Sequence, residues 1–452
     1  MPSIVEQVPH TERQLGETEV SYFLPSRESG VNDMYLHLGC RAPSHLVERP
    51  RVSVVWAILR VRHPLLASRV RMNDYNDITF LYNGPSSIPE AIASADQSLE
   101  YRNQSKDGQN YDFLICATHF LGDGMALHQF ANDFFSLLGS PSSEDDLRRN
   151  LKADLLARVQ DKAPTLPSAM EERIPRIAAR VDFNQTQQKL IGGHTFPRNS
   201  RGLRHTIVPT ISIDAENTKK ILENCKRRGV SVSSALFAIC NIAWARTSHP
   251  TNFELPTMMY SALNMRPNLL ANKALNDSYW FLAIGYFNVV LPSFLPRQGS
   301  VSNTFWRRAY SAKIQSSKAA KSPMSVSRCR EMAKERGVKA RMWAKEDDDK
   351  AMGIIPPPPT IVPASAGSSK PKIPSAALMG LSLLGNLDGI YKHSAFPSIK
   401  LHTLTTGSRQ RAGGMLLFSY TFVEKLWNNF EEEAVKNFWE NVISAIHEFL
   451  LR

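Results

Sequence analysis

The chain has 452 residues, which at roughly 100 to 200 residues per domain implies two or three domains with a sizeable core. Hydrophobic residues make up 42% and charged residues 21%, so a wholly disordered, collagenous or disulfide-framework chain is excluded. Lys and Arg number 54 against 42 Asp and Glu, a net charge of +12, which suits nucleic acid, an anionic membrane or a phosphate-bearing co-substrate alike.

The opening MPSIVEQVPHTERQLGETEV has neither the apolar core of a signal peptide nor the Arg-rich, acid-poor composition of a transit sequence. The five cysteines are widely spaced with no C-x-x-C pair, so reduced thiols and a cytoplasmic location are expected. Over 51–63, Val54, Val55, Ile58 and Leu59 recur at helical spacing before Pro64, and a helix is expected to end near His63. Arg60, Arg62 and His63 read as its solvated edge and stop. A short strand is expected over 74–83 and a buried one over 111–118. A glycine-containing turn follows, then a helix on which Leu127, Phe130, Phe134, Leu137 and Leu138 recur until Gly139.

Scattered prolines over 160–205 place the crossover between two domains, taken as 1–190 and 191–452. Beyond it, SVSSALFAICNIAWAR reads as a helix capped by Ser231 or Ser233, and 257–263 and 286–291 read as strands. The uncharged stretch 278–296 is interrupted by Gly285, Asn288, Pro292 and Pro296, and it reads as buried strands, not a membrane span. Residues 306–345 are rich in Lys and Arg. Residues 346–374, with an acidic run and four consecutive prolines, read as a mobile loop. The chain closes with a core helix that carries Val435, Phe438, Trp439, Val442, Ile446, Phe449 and Leu450 on one face.

The chemistry concentrates in His119-Phe120-Leu121-Gly122-Asp123-Gly124, between the 111–118 strand and the helix after it. Of twelve histidines, His119 alone has Asp at the fourth following position. A neutral imidazole, with an ordinary pKa of about 6.5, can take the proton of a hydroxyl as that hydroxyl attacks a carbonyl. The plainer reading is a buried histidine bonded to backbone, with Asp123 capping the next helix. His128 reads as a helix-face residue and Ser382 as a strand serine or an oxyanion donor. No metal-ligating set is expected. Nucleic-acid binding is disfavoured, since no recognisable module is present.

The sequence HFLGDG, set between strand and helix, resembles the HxxxDG motif of the CoA-dependent acyltransferase superfamily. That superfamily includes chloramphenicol acetyltransferase, plant BAHD acyltransferases, wax ester synthases and peptide-synthetase condensation domains. Matches follow in order across most of the chain: WAILRVRHPLL, GVSVSSALFAICNIAWA, LNMRP, GYFNVVLP and MLLFSYTF. SYFLPSRESGVNDMYLHLG and GSRQRAGGMLLFSYTF are most similar to fungal secondary-metabolite O-acyltransferases of the trichothecene 15-O-acetyltransferase type. The DFGWG motif of the BAHD branch is missing; LLGNLDGIY stands in its place.

The resemblance implies an α/β fold of two similar chloramphenicol-acetyltransferase-like domains, each a mixed β-sheet with flanking helices, and a channel between them that holds His119. It implies a monomeric acyltransferase that moves an acyl group, acetyl foremost, from acyl-CoA to a hydroxyl of a specialised metabolite without an acyl-enzyme. His119 would be the catalytic base, Asp123 and Gly124 would shape its turn, and Arg266 of the N-x-R element would pair with Asp123. Ser382 and Asn288 are candidates for contact with an oxyanion or substrate, with an ordinary strand serine the plainer reading of Ser382. Acyl-CoA is then a co-substrate, with no permanently bound cofactor. Arg307, Arg308, Lys313, Lys318, Lys334, Arg336, Lys339 and Arg341 lie where its phosphates would bind, although solvated helix faces explain most of them equally well. Two alternatives stay open: a condensation-type enzyme using a carrier-protein thioester, and a non-acylating member that binds or cyclises a metabolite.

Overall fold

A computed structural model describes residues 10–27, 30, 32–102, 109–160, 176–197, 210–247, 254–269, 273–296, 300–354, 375–408, 414–419, 422–426 and 432–452. Two antiparallel three-stranded sheets hold the strands of the first half. One runs β1 (His10–Gln14), β4 (Ile78–Asn83), β3 (Arg69–Met72); the other runs β12 (Lys400–Ser408), β2 (Asp33–Arg41), β5 (Asn110–Thr118). A six-stranded mixed sheet follows the order β7 (Thr210–Ser212), β14 (Phe422–Leu426), β13 (Gly414–Ser419), β11 (Met379–Gly385), β8 (Thr257–Asn264), β9 (Ile284–Leu291). In it β11 lies parallel to both β8 and β13. A two-residue parallel pair, β6 (Gly192–Gly193) with β10 (Ser375–Ala376), completes the strands among the described residues.

Alternation on β2 sends Leu36 and Leu38 inward, against helices α2 (Arg49–Arg62) and α4 (Gly124–Leu138), with α3 (Ile88–Asp96) and α5 (Glu144–Gln160) outside them. Apolar residues at helical spacing put Val54, Val55, Ile58 and Leu59 of α2 wholly inside. Arg51 of the same helix donates to the carbonyls of Leu138, Ser140 and Ser142, which holds the carboxyl end of α4. Around the six-stranded sheet, α8 (Val232–Ala245), α10 (Val301–Ala320) and α12 (Glu432–Leu450) form a second core, with α7 (Ala215–Arg227) beside it. A third apolar cluster joins the two. In it α1 (Glu17–Ser26) packs along α11 (Ser325–Ala351), which also touches α6 (Arg176–Gln188). The short α9 (Lys273–Ser278) leans on α4.

Several sequence expectations change. Strand β5 is an edge strand whose alternate residues are exposed, Leu114 among them at 60%, so it is half-open and not buried. The 74–83 segment is strand only from Ile78. Helix α2 stops at His63 as expected, but that histidine is buried and accepts a hydrogen bond from the Trp280 amide, so the stop lies in the core. The acidic start of the expected 346–374 loop is helix: α11 runs to Ala351, and Asp348 bonds Arg27 and Tyr75. Residues 355–374 lie outside the described residues. The 278–296 stretch holds β9, and among the described residues no single helix is long and apolar enough to cross a membrane.

Candidate active site

Strand β5 ends at Thr118, and the chain turns at once: the Leu121 amide donates to the Thr118 carbonyl at 3.1 Å. This turn places His119 in the wall of a cavity of about 430 Å³. Gly122 is required there, because a Cβ would lie 2.8 Å from Nε1 of Trp280. The His119 Nδ1 lies 2.9 Å from the Gly122 carbonyl oxygen. A carbonyl can only accept, so Nδ1 carries the proton and the neutral ring keeps its lone pair on Nε2. Burial pushes the His119 pKa below its ordinary value, and Arg336 pushes the same way; the backbone bonds and Asp123 oppose them. The ring is therefore a neutral base near pH 7.

Asp123 does not hold the imidazole. Its Oδ1 accepts from the Ala126 amide at 3.0 Å, which caps α4, and its Oδ2 accepts from the Ala283 amide at 2.8 Å. A single guanidinium nitrogen of Arg266 reaches both oxygens, at 2.9 and 2.8 Å. Arg266 also donates to the Phe281 carbonyl and stacks on the Phe281 ring. Both side chains are 3% exposed, so this pair ties the His119 turn to the β8–β9 region from inside. The structure thus brings together the two groups that the motif and the N-x-R element supplied 143 residues apart.

A second part of the cavity lining is aromatic. Tyr22 of α1 stacks on His119 with ring centroids 4.3 Å apart. Its hydroxyl meets that of Tyr286. Arg336 of α11 lies over both rings, 5.2 Å from the Tyr22 centroid and 4.6 Å from that of Tyr286. Burial pushes the Tyr260 phenol up to about 12 and that of Tyr22 well above its ordinary value, so both stay protonated donors. Tyr260 crosses Gly380 of β11, where a Cβ would stand 2.4 Å from the ring.

Gly124, Asn288 and Ser382 line the same cavity, so every site residue expected from the sequence borders it. Of the eight basic residues, Arg336 and Lys339 line it. Arg341 is tied to Glu17, and Lys334 to Glu331. Lys313 bonds the Gly229 carbonyl, and Arg307 and Lys318 are exposed on α10. Arg308 is no solvated face residue: it is buried against Asn241, and burial lowers its pKa to about 10. His128 is likewise interior, fully buried with Nδ1 bonded to the Tyr391 hydroxyl at 2.8 Å. Tyr391 closes LLGNLDGIY, so that end of the segment packs against α4 away from the cavity lining.

Sequence reasoning missed Tyr22, Tyr260 and Tyr286. No motif joins them, because each comes from a different element. The available signal was the two-residue strand period: Tyr286 stands two before Asn288 on β9, and the register sets Tyr260 opposite Asn288 on β8.

No family model matches the chain, and no curated protein sequence matches it. Its fold is similar to solved structures. Trichothecene 15-O-acetyltransferase from Fusarium sporotrichioides matches with a TM-score of 0.69 at 12% identity, over 98% of this chain and 96% of that one. The first condensation domain of the calcium-dependent antibiotic synthetase matches at 0.56 and 10%, over 98% and 97%. Polyketide synthase associated protein 5 from Mycobacterium tuberculosis matches at 0.53 and 12%, over 98% of each chain. The likeness spans nearly the whole chain and establishes the two-domain, chloramphenicol-acetyltransferase-like fold.

Proposed function

We propose that the protein is an acyltransferase that moves an acyl group, acetyl foremost, from acyl-CoA to a hydroxyl of a specialised metabolite. The observation that carries this reading is the contact of His119 Nδ1 with the Gly122 carbonyl oxygen, which sets the tautomer. The Nδ1 proton is spent on that carbonyl, and the basic Nε2 remains for chemistry in the wall of a cavity. An acceptor hydroxyl gives its proton to Nε2 as its oxygen bonds to the thioester carbonyl carbon. The carbon–sulfur bond then breaks, and the same proton passes from Nε2 to the departing thiolate. No acyl-enzyme forms. The neutral phenols and Ser382 and Asn288 are the donors available to a developing oxyanion.

The fold's likeness to condensation domains favours a second reading, in which the thioester is borne by a carrier protein. The full-length protein should be incubated with acetyl-, malonyl- and longer acyl-CoAs and a hydroxylated metabolite extract. Free CoA thiol released only with acceptor present, and one metabolite heavier by the acyl group, is the expected result. Transfer from an acylated carrier protein but from no acyl-CoA would establish the second reading. Conversion of a metabolite at unchanged mass, without thiol release, would reject both.

A further inference from the structure

The charges around the cavity leave one residue without a counter-ion among the described residues. Three permanent cations line it: Arg266, Lys339 and Arg336. Two carboxylates line it as well, and each is already matched, Asp123 by Arg266 and Glu335 by Lys339. Arg336 has no carboxylate partner among the described residues. It is only partly exposed, and its neighbours are the rings of Tyr22 and Tyr286. Aromatic faces recover part of the solvation a guanidinium loses, and the Tyr286 side chain accepts a hydrogen bond from it, but these groups are neutral and supply no counter-charge. A largely desolvated cation without a counter-ion is costly in a folded protein unless a ligand completes it. The site for that ligand lies one ring away from the base, since Tyr22 touches both Arg336 and His119.

We propose that Arg336 recognises a carboxylate on a substrate, so that this enzyme selects an acidic reactant. The inference rests on the acyltransferase reading and names a substrate class for it. A planar guanidinium binds a carboxylate through two parallel hydrogen bonds, which an ester or amide of the same shape cannot reproduce. The carboxylate can belong to the acceptor, as a hydroxy acid, or to the acyl group, as in malonyl-CoA.

Binding separates these sources and does not require turnover. Hydroxybenzoates, hydroxycinnamates and aliphatic hydroxy acids should be titrated against the full-length protein beside their methyl esters, and malonyl-CoA beside acetyl-CoA. At least one acid should bind about tenfold or more tighter than its neutral partner. Arg336→Gln should cut that ratio below about threefold while the neutral partner binds as before, and Arg336→Lys, which keeps the charge without the fork, should restore part of it. A preference confined to malonyl-CoA assigns the carboxylate to the donor; one among the hydroxy acids assigns it to the acceptor. The proposal is overturned if no acid outbinds its partner, or if the ratio survives in Arg336→Gln. It is equally overturned if both variants melt as wild type and lose turnover alike on acidic and neutral substrates, since Arg336 would then serve the oxyanion. Carboxylate selectivity without thiol release from any acyl-CoA would sink the acyltransferase reading and leave this one standing.

Discussion

The two walls of the cavity hold their arginines in opposite ways. On the His119 side, Arg266 sits in a nearly closed network of Asp123, the Phe281 carbonyl and the Phe281 ring, and only its Nε lacks a bond among the described residues. On the aromatic side, Arg336 meets neutral rings and hydroxyls and no carboxylate among the described residues. A charge matched inside the protein fixes structure, because removing either partner strands the other in a medium that cannot solvate it. A charge left unmatched beside a cavity is free to read a ligand. The contrast separates positioning from recognition within one site.

The largest expected effect follows from opening the closed side. Asp123→Asn leaves Arg266 buried without its counter-ion, and Arg266→Met strands Asp123. Each should lower unfolding stability by about 3–5 kcal/mol in chemical denaturation. The double variant should be little worse than either alone, because the two residues act as one unit. Additive losses would mean that the pair is not what ties the turn to the second half.

The aromatic side predicts a shift in pH dependence instead of a collapse. The proposed mechanism needs a neutral His119, and its pKa is lowered, so activity should persist below pH 6.5 and fall only as pH drops through the depressed value. Arg336 contributes to that depression. The acid limb of kcat/KM in Arg336→Gln should therefore move to higher pH. An unmoved limb would show that the guanidinium exerts no field at the base.

His128 tests whether burial alone, away from either wall, has the same sign. Burial lowers its pKa to about 3. Below about pH 6.5 the unfolded chain binds a proton there that the native chain refuses, so stability should decline from about pH 6.5 down to about 3. His128→Asn, which can still hydrogen-bond the Tyr391 hydroxyl, should flatten that decline in acid melts. An identical slope would place the acid sensitivity elsewhere.

How much of this was legible in the sequence depends on whether a feature is local. The HxxxDG turn, the α4 helix ending at Gly139 and the Ser231 cap of α8 are set by residues within a few positions of each other, and they were read directly. Partly buried β5 was not, because exposure of an edge strand depends on what pairs beside it, and among the described residues its one partner is β2. The 346–351 segment looked like loop from its charges. Long-range bonds from Asp348 to Arg27 and Tyr75 hold it in helix. The Asp123–Arg266 pair was available only through the resemblance, and the tyrosine wall had no signal beyond alternation on β8 and β9. The smallest expected effect checks the corrected segment: Asp348→Ala should cost on the order of 1 kcal/mol, since its bonds are only part-buried. No change at all would mean that helix propensity, and not those bonds, carries α11 to Ala351.

The central claim is that His119 is the base of direct acyl transfer while the Asp123–Arg266 pair beneath it only positions the turn. Turnover and thermal melting of His119→Ala, measured on the same preparation, test it most directly. The account predicts a loss of about 10² to 10⁴ in acyl transfer with a melting temperature within a few degrees of wild type. Residual activity within about tenfold of wild type, from a variant that melts normally, would contradict it.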